Sequence, residues 1–142
     1  MTVTSTYDDD NRLTPQEFPK ATGTGTDSYS YSYDPNGNRI LVSDPSGTTT
    51  YTFDDANRLS AEEGPPGGKL TSYLYDADNR QTAKAVSTIG TFLYDYDAAS
   101  RQTQITTPQS AVTTIVYDGA GRKVQEQLAD GVTGMPAMKA RM

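Results

Sequence analysis

Tyr29-Ser30-Tyr31-Ser32-Tyr33-Asp34-Pro35-Asn36-Gly37-Asn38-Arg39-Ile40 is the stretch on which the fold turns. Its first five residues alternate aromatic and small polar side chains, which puts Tyr29, Tyr31 and Tyr33 on one face of a strand. The run then breaks into Asp34-Pro35-Asn36-Gly37, residues that bend a chain. Pro35 presets φ at the second turn position, and Gly37 accepts a positive φ without steric cost. Arg39 opens the returning strand. Strand, tight turn and strand make a β-hairpin. Asn38 reads here as an extra residue that lengthens the loop.

The unit recurs six times, starting at Tyr7, Tyr33, Phe53, Tyr75, Tyr96 and Tyr117, with offsets of 26, 20, 22, 21 and 21 residues. Six of the seven arginines stand at its end: Arg12, Arg39, Arg58, Arg80, Arg101 and Arg122. An aspartate follows each aromatic: Asp8, Asp34, Asp54, Asp76, Asp97 and Asp118. Its carboxylate can accept backbone N–H groups two residues on. Asn11, Asn57, Asn79, Ser100 and Gly121 stand where a left-handed residue in a bulge would close a three-residue loop, Ser100 being the poorest fit, and Gly37 can take the left-handed place in the longer second loop. The aromatic and the arginine are expected to face each other across each hairpin, just below its turn.

Gly- and Pro-rich stretches such as Asp44-Pro45-Ser46-Gly47 and Thr107-Pro108-Gln109-Ser110 read as return turns between hairpins. The reading is all-β: tandem antiparallel β-hairpins, about twelve short strands, with no helical period. Residues 1–128 form the repeat array. Residues 129–142 lose the repeat and read as a flexible tail. Pro15 to Asp27 reads as a long polar connection.

Composition narrows the function. Hydrophobic residues make up 34%, and Tyr supplies 10 residues against 3 Phe and no Trp. A compact aliphatic core is not expected; Tyr faces on a sheet wet on one side are. The net charge of −6 argues against a nucleic-acid or anionic-membrane partner. The absence of His and Cys removes imidazole and thiolate chemistry and most zinc sites. No run is long and apolar enough for a membrane-spanning helix, and the first residues carry no signal-peptide pattern.

The motif Tyr-Asp-x-x-(Gly/Asn)-(x)-Arg at about 21-residue spacing resembles the YD repeats of the Rhs family. That family includes bacterial Rhs and wall-associated polymorphic toxins, the shell-forming subunits of Tc insecticidal toxin complexes, and animal teneurins. The resemblance covers roughly Thr4 to Gln127 and is nearest to consensus at Tyr33–Arg39. It implies hairpins joined edge to edge into a curved or spiralling sheet, an open fragment of a β-shell. It also implies a secreted or cell-surface setting. The implied partners are further YD repeats of the same or a neighbouring chain, and an encapsulated toxin or a surface glycan. Six repeats are too few to close a shell. The family's Asp-Pro-x-Gly-Leu cleavage motif is not matched, since Asn38 and Thr48 stand at the Leu position of the two nearest sequences.

The residues assigned to the motif are structural: Tyr7, Asp8, Asn11 and Arg12; Tyr33, Asp34, Gly37 and Arg39; Phe53, Asp54, Asn57 and Arg58; Tyr75, Asp76, Asn79 and Arg80; Tyr96, Asp97 and Arg101; Tyr117, Asp118, Gly121 and Arg122. No catalytic, cofactor or metal role is assigned to any of them. An aspartate present in every repeat is most simply structural, whereas a catalytic pair is singular. Asp8-Asp9-Asp10-Asn11 and Asp76-Ala77-Asp78-Asn79 resemble calcium loops, but position twelve is Pro19 or Ser87, not the bidentate Glu. The function expected is a non-catalytic structural module. The alternative is a carbohydrate- or cell-surface-binding module using the Tyr-rich face. With two unpaired sheet edges, the isolated array is expected to be marginal or oligomeric.

Overall fold

A computed structural model describes residues 2–20, 24–128 and 133–134. It divides into two units, residues 1–71 and 72–142. The first holds β1 (Thr4–Tyr7), β2 (Leu13–Pro19), β3 (Thr26–Tyr33), β4 (Arg39–Asp44), β5 (Gly47–Phe53) and β6 (Leu59–Glu63). The chain passes along β7 (Leu70–Tyr75) into the second unit. That unit holds β8 (Gln81–Val86), β9 (Gly90–Tyr96), β10 (Gln102–Thr106), β11 (Val112–Tyr117), β12 (Lys123–Gln127) and β13 (Thr133–Gly134). From β1 to β6, and again from β8 to β13, each strand pairs antiparallel with its sequence neighbours. The fold is all-β, a succession of hairpins. The tail expected over 129–142 lies outside the described residues, apart from β13, whose Gly134 and Thr133 pair with Glu126 and Gln127.

Register sorts the side chains. Tyr31 stands opposite Val42, which stands opposite Thr49. In the second unit Tyr94 faces Ile105, which faces Thr113. Directly opposed residues share a face, so the aromatics of the incoming strands and the β-branched residues of their neighbours line one side of the ladder. Along β9, Phe92, Tyr94 and Tyr96 are half-buried while Leu93 and Asp95 are exposed. Among the described residues only the hydrophobics Ala83 and Val86 are buried. Within each unit the fold rests on ladder hydrogen bonds and on many cross-strand pairs of roughly 0.2–1 kcal/mol each.

The hairpins β1–β2, β3–β4, β5–β6, β9–β10 and β11–β12 also carry a one-residue slip beyond the turn, whereas β2–β3, β4–β5, β8–β9 and β10–β11 pair in continuous register. The pairing slips by one residue between Ser32 and Tyr33, leaving Ile40 extra on the outgoing strand. The same slip falls between Thr52 and Phe53, between Gln102 and Gln104, and between Val116 and Tyr117. A bulge adds twist and resets which face the outgoing side chains take.

The connection expected from Pro15 to Asp27 is mostly strand. Pro15 to Pro19 pair with Ser30 to Thr26, and Lys20 N–H donates to the Gly25 carbonyl at 3.1 Å. Two prolines fit because of where they fall. Pro15 lies at the register slip between Ser5 and Tyr7, and Pro19 lies beyond the last β1–β2 pair, Thr4 with Glu17. Neither has to donate toward β1.

Candidate functional site

The repeated unit is built around the aspartate. In the first copy Asp8 Oδ1 accepts the N–H groups of Asp10 (3.1 Å) and Arg12 (2.8 Å), and Oδ2 accepts Arg12 Nε at 2.8 Å. Asp54, Asp76, Asp97 and Asp118 repeat this with Arg58, Arg80, Arg101 and Arg122, their Nε contacts lying at 2.7–2.8 Å. The Asp8 N–H donates to the Arg12 carbonyl, and Asn11 N–H donates to the Asp8 carbonyl, each at 2.9 Å. This is a type I turn closed by a left-handed residue. Asn11, Asn57, Asn79 and Ser100 have φ of 60, 64, 63 and 60°, and Gly37 and Gly121 have 86 and 79°.

These bonds hold all six carboxyls below the usual aspartate range. For Asp8 and Asp118 the first cause is the backbone N–H of the following arginine. For Asp54 and Asp97 it is the arginine side chain, and for Asp34 the Asn38 side chain. For Asp76 the largest influence is burial, which pushes upward, but the bonds from Arg80 together outweigh it.

The arginine has a second contact, and it is not the one expected. Within a hairpin the partner of the aromatic is the residue after the arginine: Tyr7 pairs with Leu13, Phe53 with Leu59, Tyr96 with Gln102 and Tyr117 with Lys123. The guanidinium instead lies over the aromatic of the next repeat. Arg12 stacks on Tyr33 at 4.9 Å, Arg80 on Tyr96 at 5.2 Å and Arg101 on Tyr117 at 4.7 Å. The next tyrosine answers through its hydroxyl. Tyr33 donates to the Leu13 carbonyl (3.0 Å), Tyr96 to that of Gln81 (2.8 Å) and Tyr117 to that of Gln102 (3.0 Å). The motif is therefore a stitch between successive hairpins, tying the residue that closes one turn to the ring that enters the next. The stacking contributes about 0.5–1 kcal/mol per stitch. Tyr96→Phe removes only the hydroxyl bond and is expected to lower stability by about 0.5–1.5 kcal/mol, read as a reduced midpoint in urea at unchanged slope.

The second copy departs from this, and the expected longer loop is corrected. Asp34 N–H donates to the Asn38 carbonyl and Gly37 N–H to the Asp34 carbonyl, the same ring of bonds as elsewhere. Asn38 fills the arginine's place, giving Asp34 its N–H at 2.8 Å and its Nδ2 at 2.9 Å. Arg39 sits one residue on, opposite Tyr33, at the register position that Leu13 takes opposite Tyr7. Its guanidinium lies 5.6 Å from the Tyr31 ring.

Tyr7 ends β1 and is exposed, Tyr75 ends β7, and Phe53 brings a ring without a hydroxyl. The carboxylates of the calcium-loop-like segments converge on arginine: Asp8 and Asp10 on Arg12 (2.8 and 3.0 Å), Asp76 and Asp78 on Arg80 (2.7 and 3.2 Å). Among the described residues no group of three or more acidic side chains is placed to hold a metal. The return turn read at Thr107-Pro108-Gln109-Ser110 is present, and it copies the ring of bonds of the motif, a likeness the sequence reading did not include. Thr107 Oγ1 accepts Ala111 N–H at 3.2 Å in the aspartate's role, and Ser110 takes φ 63°.

The RHS Repeat family model matches residues 33–65 and 96–133, together half of the chain. Among solved structures the chain is similar to the TcdB2-TccC3-Cdc42 complex (15% identity, TM-score 0.67) and to TcdB2-TccC3 (13%, 0.63), with 86% of this chain covered in each. It is also similar to the Tc holotoxin pore of Photorhabdus luminescens (13%, 0.52), with 87% covered. It spans only 7% of the first two chains and 10% of the third. No curated protein matches it. At these identities the likeness is one of fold, and it is the family model, met twice along the repeats, that shows membership: the chain belongs to the RHS Repeat family.

Proposed function

We propose that the chain is a non-catalytic structural module, a section of a secreted or cell-surface YD-repeat protein whose shell encloses or displays a toxin or other cargo. Residues 1–128 act in this reading as one array. The observation that carries it is the stitch. Where the stitch forms, the charged and aromatic motif residues are engaged by their own turn and by the neighbouring hairpin, and among the described residues no acidic cluster stands ready to hold a metal. The ends of the array agree. Tyr7 is 60% exposed, and the Arg122 side chain is 79% exposed against 22–34% for Arg12, Arg58, Arg80 and Arg101. An upstream arginine would cover the first and a downstream tyrosine the second, so further YD repeats are the natural partners of both edges. The Tc-toxin likeness supports an association with shell and toxin subunits.

The test extends the chain by one Tyr-Asp hairpin at its downstream end. The thermal midpoint is expected to rise by several degrees, and to rise less when the added tyrosine is replaced by Ala. An added hairpin that leaves the midpoint unchanged would count against an array built to continue. A second reading, binding of carbohydrate or a cell surface by the Tyr-rich face, is favoured by the half-exposed state of that face, including Tyr29, Tyr31, Tyr51 and Tyr94.

A further inference from the structure

At one junction both halves of the stitch are missing. Asn38 stands where an arginine would reach forward, and Phe53, which has no hydroxyl to give back, stands where a tyrosine would receive it. The two turns are joined at their rim by a bond from Asn38 Nδ2 to Asn57 Oδ1. What remains is an open notch of about 390 Å³ lined by Gly37, Asn38, Arg39, Tyr51, Phe53 and Leu59.

The notch has a particular chemistry. Tyr51 and Phe53 are half-buried and offer ring surface. Arg39, displaced from the usual arginine place, is exposed and has no carboxylate partner among the described residues, whereas the other five motif arginines each hold an aspartate. Its contact with Tyr31, at 5.6 Å, is weak and easily exchanged. A guanidinium fork beside aromatic surface suits a carboxylate carried on a ring with an apolar C–H face. Glu62, opposite Tyr51 on the same face, disfavours a second negative charge close by.

We propose that this notch binds a sugar bearing a single carboxylate, a uronic acid unit of an acidic polysaccharide. The ring lies against Phe53 and Tyr51, and Arg39 donates two N–H bonds to the carboxylate. This rests on the surface-binding reading and is independent of the shell reading.

The test titrates the full chain with an oligomer of galacturonic acid, and with a neutral galactose oligomer of equal length, by calorimetry or by NMR. The acidic oligomer is expected to bind at least tenfold more tightly than the neutral one, with Arg39→Gln abolishing that preference. Asn38→Arg/Phe53→Tyr, which rebuilds the stitch across the notch, is expected to block binding while the thermal midpoint rises, so loss of binding is not loss of fold. Leu93→Ala, in the other unit and on the side of β9 away from its tyrosines, should leave binding unchanged. No binding of the acidic oligomer, equal binding of the neutral one, or indifference to both notch variants would overturn the proposal. Binding abolished by Tyr94→Ala but not by Arg39→Gln would move the ligand elsewhere on the face, ending this site and keeping the broader reading.

Discussion

Acidification from about pH 5 to about pH 2 is expected to unfold the array progressively, because six aspartates titrate together. Each carboxyl sits below its ordinary value in the folded chain. The unfolded chain, with aspartates near 3.9, therefore takes up protons first as the pH falls. The stabilisation is fully present above the unfolded value and is lost as the pH drops through the lowered folded values. A plot of thermal midpoint against pH should be level above about pH 5 and fall steeply below about pH 4. Salt should weaken the arginine pairs but leave most of the pH dependence, since backbone N–H groups of each turn also hold the carboxylate. A midpoint that stays level from neutrality to pH 2 would mean that the turns do not depend on ionised aspartate.

Gly90→Val is expected to be strongly destabilising. Gly90 opens β9 at φ 111°, and a Cβ there would come within 2.7 Å of the Pro108 Cβ. Gly47 repeats the arrangement in the first unit, at φ 136° and 2.7 Å from the Pro65 Cβ. A branched side chain meets unfavourable backbone strain of about 1–2 kcal/mol and overpacking of about 1–3 kcal/mol, together about 2–5 kcal/mol. In a chain this size that lowers the midpoint by about 10 °C. Gly25→Val separates the two effects: its φ is 116°, but nothing lies within 4 Å of the added Cβ. It should lose only the strain part. Equal losses at Gly25 and Gly90 would show that the proline contact contributes nothing.

What could be read from the sequence was whatever is local. The aspartate that opens each turn and the Asn or Gly that bends it act within four residues, and alternating tyrosines fix the strand face. The stitch could not be placed because it joins groups roughly 15–20 residues apart on different hairpins, and its register depends on a bulge. The extra bulge residues Ile40, Ser60, Thr103 and Val124 share no chemical type, so no letter marks them. One signal was present: tyrosine stands in five of six copies, although a bare ring would serve for packing. The hydroxyl bonded to the preceding hairpin accounts for that preference. In the second copy the arginine letter drew attention from Asn38 to Arg39, although counting from Asp34 places Asn38 where Asp8 has Arg12.

The stitch also bears on how such an array changes over time. Any arginine of the pattern fits any tyrosine, so whole units are interchangeable. Excising Gln81 through Arg101, 21 residues, would bring Arg80 up to Tyr117 with the same chemistry that now joins Arg101 to it. Gene rearrangements that add or drop one unit in frame would then be nearly silent for the fold, and array length can drift. The junction of Asn38 with Phe53 is the exception. It fits no other copy, so a rearrangement that splits it leaves an arginine or a tyrosine mismatched and records where in the array the break occurred.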